Sequence, residues 1–575
     1  VTGSLAGQPS RGRARLAVAA ALALFLLAWF ANLDYRHLIR TDEGRYAEIA
    51  REMVVSGDWV TPRQNDYKYF EKPPLQYWAT AAAFEAFGLH EWTARLWTAL
   101  CGLLGIGLTF LAGRRLWGAQ TGALAAAILA GTLQWVAMGH FASLDMSLAA
   151  LLSGALLAFC AAHGADPAAS RQAGLPAGTT SRTSIDRRWL MAAWGLAALA
   201  TLSKGIVAIA LPGMTLTLYT LWRRDWRLAL RASPLAGGAL FLAITAPWFV
   251  LVARRNPEFV QFFFVQEHLS RFLTTMHGRD APLWFFVPVL IAGLLPWTLA
   301  LPAALRLAWP HRHSGSPGDS GPFEPTTLLG LWVVVTFVFF SLSHSKLESY
   351  LLPIYPALAL LLARALPGLS RRAFAWLAGS SMLAGILIAI GLALMTRRGP
   401  AHIPAELLDA YRPWLVGAAL ALAAGGVAGW QLDRRARRLG AISALALGCF
   451  AGTQLALTGH ESLSPLYSSY HVARVIRPLL TPEVPFYAVD TYDHTMPFYA
   501  GHTLIMVGYK DELAVPIERE PGPFLPDIAS FEQAWRAAPR AFALMTPDRF
   551  DAFRQSGLPM TEVARDPRRV IVSTQ

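Results

Sequence analysis

Apolar runs of about twenty residues recur along the chain between short polar stretches, a pattern that predicts membrane-spanning helices. They lie near 16–33, 91–113, 118–137, 143–163, 188–203, 205–221, 235–253, 283–305, 326–343, 350–366, 373–395, 412–431 and 440–458. Counted against the roughly twenty residues needed to cross a bilayer, they predict about thirteen helices. The pair meeting at Ser203-Lys204-Gly205 reads either as two spans or as one broken helix. A secretory signal competes for the first run, but that run is long for a signal and a retained span is expected.

The pattern changes after residue 458. Short β-prone runs appear at 484–489, 503–508, 541–546 and 569–574, with amphipathic helical stretches at 469–480 and 528–538 between them. We therefore divide the chain into a membrane region, 1–458, and a soluble α/β domain, 459–575. The loop 34–90 also departs from the apolar pattern and should carry amphipathic helices lying beside the bilayer. Two further segments, 164–187 and 310–325, read as flexible linkers.

Composition agrees with a polytopic membrane protein. Of 575 residues, 54% are hydrophobic and 15% charged, against about 25% charged in soluble domains. The net charge of +13 does not imply nucleic acid, because the basic residues concentrate in short loops at 113–118, 164–188, 222–231, 311–313, 369–372 and 433–440. Helix alternation puts all of these on one side, as the positive-inside rule requires. The other side receives 34–90, 254–282, 344–349 and the tail from 459. Cys101, Cys160 and Cys449 show no metal-binding spacing.

The polar clusters all fall on that second side. In TDEGRYAEIAREM the spacing predicts a helix over 42–55, with Thr41 as N-cap and Gly57 as stop. Asp42 and Arg45 share a face of it, while Glu43 reads as complementing the helix dipole. In YFEKPPLQYW, Pro73 and Pro74 suit a helix's first turn, leaving Glu71 and Lys72 at a natural anion site. In QEHLSR, Glu267, His268 and Arg271 fit one helical turn. In SHSKLESY, Lys346 and Tyr350 are four apart and both can donate to phosphate oxygens. Glu71 and His268 are candidate ligands for a zinc-like divalent metal, though none is required. Asp145, near the end of its span, is a costly intramembrane carboxylate and hence a functional candidate.

These stretches, in this order, resemble the polyprenyl-phosphate-dependent glycosyltransferases of the GT-C class, and more narrowly the aminoarabinose lipid A transferases, relatives of protein O-mannosyltransferases. The resemblance covers most of the membrane region. It implies a GT-C fold in the bacterial inner membrane, with the active site and C-terminal domain facing the periplasm. It implies transfer of 4-amino-4-deoxy-L-arabinose from undecaprenyl phosphate to lipid A phosphate, with inversion, by a monomer that handles membrane lipids. By position, Lys72, Arg271 and Tyr350, joined by Lys346, would bind the carrier phosphate. Asp42 and Arg45 would line the reacting centre, and Asp145 would be a second acidic position. Alternatives are glycosyl transfer to protein or another glycan, and a lipid flippase, which would need polar residues across the whole membrane.

Overall fold

The computed structural model describes residues 11–164, 185–263, 281–309, 323–395, 403–520 and 522–575. Helices dominate. Among the described residues eight are long and apolar enough to cross a membrane: Glu91–Trp117, Leu144–His163, Pro234–Arg255, Pro325–Leu342, Glu348–Gly368, Arg371–Leu394, Ala405–Arg434 and Arg438–Tyr467. A ninth crossing is available if Leu283–Gly293 and Thr298–Ala308, bent by 111°, form one broken span. The protein is a multi-pass membrane protein, but the expected thirteen crossings reduce to eight or nine by this measure. The other four runs form helices that fall short in length or apolarity. The run at 16–33 yields only Leu16–Phe30 as an apolar helix, and that at 118–137 breaks after Ala119–Ala130. The stretch 188–221 is two helices, Arg187–Lys204 and Val207–Arg223, parted at Gly205 (φ 80). Most of the two expected linkers lies outside the described residues.

We label the first seven helices α1 (Arg11–Phe30), α2 (Asp42–Ser56), α3 (Leu75–Phe87), α4 (Glu91–Trp117), α5 (Ala119–Ala130), α6 (Leu133–Met138) and α7 (Leu144–His163). The apolar window of α7 is wholly buried, so this helix is the axis around which the bundle packs. Its first turn carries Asp145.

The polar segments build a second body with its own core. Helix α2 starts at Asp42 and ends at Gly57 in the left-handed conformation, with the Gly57 N–H on the Met53 carbonyl at 3.0 Å. Thr41 makes no side-chain cap. The Glu43 carboxylate accepts instead from the Ile39 N–H, which lies before the helix, at 3.1 Å. Pro73 and Pro74 precede α3 rather than occupying its first turn. Tyr46, Ile49, Ala50 and Met53 of α2 pack with Tyr77, Ala81 and Phe84 of α3 and with Val472, Phe498 and Leu504 of the C-terminal region. Burying each large apolar side chain contributes about 1.5–3 kcal/mol.

The C-terminal region is a small sheet domain. Its strands are β3 (Phe486–Val489), β4 (Ile505–Val507), β5 (Phe524–Leu525), β6 (Phe542–Met545), β7 (Thr561–Arg565) and β8 (Val570–Ser573), in the order β5-β4-β3-β6-β8-β7. The first four in that order run parallel; β8 is antiparallel to both β6 and β7. Helices Tyr470–Ile476 and Ile528–Ala537 occupy the two stretches expected to be helical. A two-stranded hairpin, β1 (Arg63–Gln64) and β2 (Tyr67–Lys68), turns through Asn65 and Asp66, both at positive φ. Asn65 docks this hairpin by exchanging two hydrogen bonds with the Leu504 backbone, at 2.8 and 2.7 Å.

Helix α2 touches the sheet domain almost backbone to backbone. A Cβ on Gly44 would stand 2.7 Å from the His494 carbonyl and from Thr495 Cγ2. Only glycine allows that approach, and it decides how the two chain ends meet.

Candidate active site

The first centre is built around Arg45. Its guanidinium is buried and reaches Asp42 at 3.2 Å on its own helix and Glu512 at 2.5 Å from the sheet domain. Glu512 also pairs with His494 Nε2 at 2.8 Å and accepts from Gln64 Nε2 at 3.4 Å. Burial would raise the Glu512 carboxyl, but Arg45 and the hydrogen bond to His494 reverse this and hold it at about 2. Asp42, in contrast, keeps a half-exposed side chain.

Three polar groups beside this pair are unused. Arg45 Nε and the hydroxyls of Tyr69 and Tyr77 are buried and have no hydrogen-bond partner among the described residues. Burial pushes both phenols well above their ordinary range, so they remain neutral donors. Buried donors are costly to leave unpaired, and both phenols lie within the field of Arg45 and Glu71. They are suited to an anionic ligand.

The second centre lies at the head of α7. Asp145 is buried, ion-paired with Lys204 and hydrogen-bonded by Ser349 Oγ at 2.7 Å. The Lys204 ammonium also sits 4.8 Å from the centroid of the Tyr350 ring. Lys72 lies within electrostatic reach of Asp145, and donates to the Glu71 carbonyl at 2.9 Å. Its side chain is largely buried, so it does not snorkel to the interface. Tyr46 adjoins both centres, within the field of Asp42 and of Asp145. Lys346 is buried and donates to the Ser343 carbonyl at 2.6 Å; no carboxylate is within ion-pair distance among the described residues. It precedes a 3-10 helix, Glu348–Ile354, so Lys346 and Tyr350 do not share the helical turn that their spacing suggested.

Asp42, Arg45, Lys72, Asp145 and Tyr350 thus come from segments far apart in sequence to neighbouring positions. Arg271 and His268, with Glu267, lie outside the described residues. Glu71, the other candidate metal ligand, is 3.9 Å from Lys72 Nζ.

Comparison with known proteins shows the family. A model of the aminoarabinose transferase C-terminal domain matches residues 472–574, and one of dolichyl-phosphate-mannose-protein mannosyltransferase matches 15–263. The undecaprenyl phosphate-α-4-amino-4-deoxy-L-arabinose arabinosyl transferase of Erwinia tasmaniensis is 33% identical over 436 residues, 74% of each chain. The chain belongs to this arabinosyl transferase family. The arabinosyl transferase of Pseudomonas aeruginosa strain PA14 is 33% identical over 426 residues, covering 72% of this chain and 71% of its own. The crystal structure of ArnT from Cupriavidus metallidurans bound to undecaprenyl phosphate superposes with a TM-score of 0.87 at 40% identity, covering 97% of this chain and 98% of that one. The GT-C fold expected from the sequence resemblance is therefore the fold observed.

In this arabinosyl transferase several residues of the two candidate centres are ones that the sequence alone does not single out. Glu512 and His494 are brought in by the sheet domain. Tyr69 and Tyr77 flank the EKPP motif. Lys204 was visible as a lone cation between two apolar runs, and its partner proves to be Asp145. Glu43 is a structural anchor: its carboxylate grips Arg95 of α4 with two bonds of 2.7 Å and takes the Ala142 N–H at 2.9 Å. Burial opposes its charge, and Arg95 more than compensates, so the carboxyl is held below its ordinary value. The available signal was Arg95 itself, an arginine inside an otherwise apolar run.

Proposed function

We propose that this glycosyltransferase moves 4-amino-4-deoxy-L-arabinose from undecaprenyl phosphate to a phosphate of lipid A, at the periplasmic face of the bacterial inner membrane and as a monomer. Its relatives are named for an undecaprenyl phosphate-linked aminoarabinose, and one is titled as bound to undecaprenyl phosphate. The observation that supports the reading is the polar make-up of the two centres: Lys72 in the field of Asp145, a buried Lys346, and unused donors on Arg45, Tyr69 and Tyr77.

The chemistry follows from these groups. The bond between the anomeric carbon and the carrier phosphate oxygen breaks, and its electron pair leaves with undecaprenyl phosphate. Lys72, Lys346 and Arg271 would neutralise the growing charge as fixed cations, with Tyr350 as a further donor. A phosphate oxygen of the acceptor attacks the opposite face, so the anomeric centre inverts and a glycosyl phosphate diester forms. A phosphate monoester, with its second pKa near ~6, is already largely anionic at neutral pH. No base is then needed, and Asp42 orients the acceptor by fixing Arg45. A divalent ion held by Glu71 and His268 would add positive charge at the carrier phosphate, but no step depends on it. Glycosylation of a protein or glycan hydroxyl would instead require Asp42 to take a proton.

The test is transfer by purified full-length protein in liposomes holding a polyprenyl-phosphate-linked aminopentose and lipid A. Mass spectrometry should find one pentosamine added to a lipid A phosphate. Addition to a hydroxyl, or donor movement across the bilayer without transfer, would overturn the proposal.

A further inference from the structure

A second ligand set lies apart from both centres, where the segment before α2 meets the chain leaving the last apolar helix. His37, Glu461 and His471 each offer one ligand atom, and these atoms all lie within 4.8 Å of one another. His37 Nδ1 is 2.5 Å from Glu461 Oε1, and the other Glu461 oxygen accepts the His37 N–H at 2.8 Å. Ser464 Oγ stands between the two imidazoles, 3.4 Å from His37 Nδ1 and 3.3 Å from His471 Nε2. The Tyr470 ring stacks on His37 with centroids 3.7 Å apart and fixes its plane.

We propose that these three residues bind a zinc-class divalent cation that clamps the N-terminal approach of α2 to the C-terminal domain. Two imidazole nitrogens and one carboxylate oxygen form a standard three-ligand zinc set, leaving a fourth position for water or the Ser464 hydroxyl. Ligand atoms around tetrahedral zinc stand roughly 3.3 Å apart, given bonds of about 2.0–2.1 Å. The pair now at 2.5 Å must open slightly and the widest separation must contract. Exposed His471 leaves an entry path beside partly buried His37, while the bond from the His37 N–H orients the carboxylate. The cation would tie the 37 segment to the 461–471 segment, which already touch where the Arg40 N–H donates to the Tyr467 carbonyl at 2.9 Å; the Leu38 N–H, on Tyr499 Oη at 2.6 Å, holds the same segment to the sheet domain. Asp42 and Arg45 begin a few residues beyond this knot, so the cation would position the reaction centre without touching substrate.

The experiment uses the metal-stripped full-length protein in detergent, titrated with Co²⁺ as a spectroscopic stand-in for Zn²⁺. Wild type should bind Co²⁺ with visible bands of tetrahedral intensity, and excess Zn²⁺ should bleach them. Glu71→Gln should retain the bands, which separates this site from any ion held by Glu71. His471→Gln and His37→Gln should each weaken binding at least about tenfold, the scale on which even outer residues of metal sites act. Zn²⁺ should raise the melting temperature of wild type but not of His471→Gln. His471 is exposed, so its variant folds and decides the matter even if His37→Gln does not. Wild-type bands in His471→Gln, or no Co²⁺ bands in wild type, would overturn the proposal.

Discussion

Replacing Glu512 by glutamine removes the charge opposite Arg45 while keeping the side chain's size. The wild-type carboxyl is held at about 2 instead of its ordinary 4.5. At about 1.4 kcal/mol per pH decade, ionisation then contributes about 3 kcal/mol to the folded state at neutral pH. Removing one partner of a buried pair costs about 3–5 kcal/mol, and the surviving half-exposed Asp42 contact puts the loss at the low end. Because folding depresses this carboxyl, its contribution is complete above the ordinary value and disappears as pH falls through about 2. The assay is the apparent melting temperature of full-length protein in detergent at one scan rate, for wild type and Glu512→Gln, from neutral pH into the acid range. Glu512→Gln should melt lower at neutral pH, by roughly 10 °C for a soluble unit of this size. The gap should narrow on acidification below about 4.5. Transfer should fall as well, with partial recovery in Glu512→Asp, because Arg45 loses its outer support. Equal melting at neutral pH, or a gap that widens in acid, would refute the assignment of Glu512 as the counter-charge of Arg45.

Four other outcomes are expected. Lys72→Ala should cut transfer at least tenfold with normal membrane insertion, since an unpaired phosphate charge costs about 2–5 kcal/mol; wild-type rates would remove Lys72 from the site. Asp42→Asn should retain transfer to a phosphate acceptor, and a complete loss measured by product mass spectrometry would make Asp42 the general base. Gly44→Ala should lower the melting temperature and the activity together, because its methyl group would meet the His494 carbonyl at 2.7 Å and such overpacking costs about 1–3 kcal/mol. Glu43→Gln should destabilise the protein by about 3–5 kcal/mol by stranding Arg95, and the double variant with Arg95→Met should recover part of that loss in the same thermal assay.

Much of this architecture was legible because its signals are local. The β-prone runs became β3, β4, β6 and β8, and the two amphipathic stretches became helices. Strand β7 was missed because TEVAR is polar and mostly exposed at the sheet edge, and β5 because two paired residues leave no period to read. The runs that form α1 and α5 are apolar as expected, but their apolar helices, among the described residues, are shorter than a crossing needs. Asp42 and Arg45 could be paired from helical spacing alone. Glu512 could not be joined to them, since its contact with Arg45 bridges almost the whole chain. Nor does the local pattern show that Glu43 anchors α4 through Arg95 rather than only complementing the helix dipole, while Asp42 stays half-exposed. Their difference comes from a one-residue rotation on a helix and from what happens to lie opposite.

The close passage of Gly44 beneath His494 also bears on the order of biosynthesis. Arg45 is translated before Glu512, its second carboxylate partner, which comes from the much later stretch that forms the sheet domain. A nascent chain halted before that stretch would insert in the bilayer yet hold an incomplete reaction centre. The candidate centre would then be whole only once the sheet domain has been made.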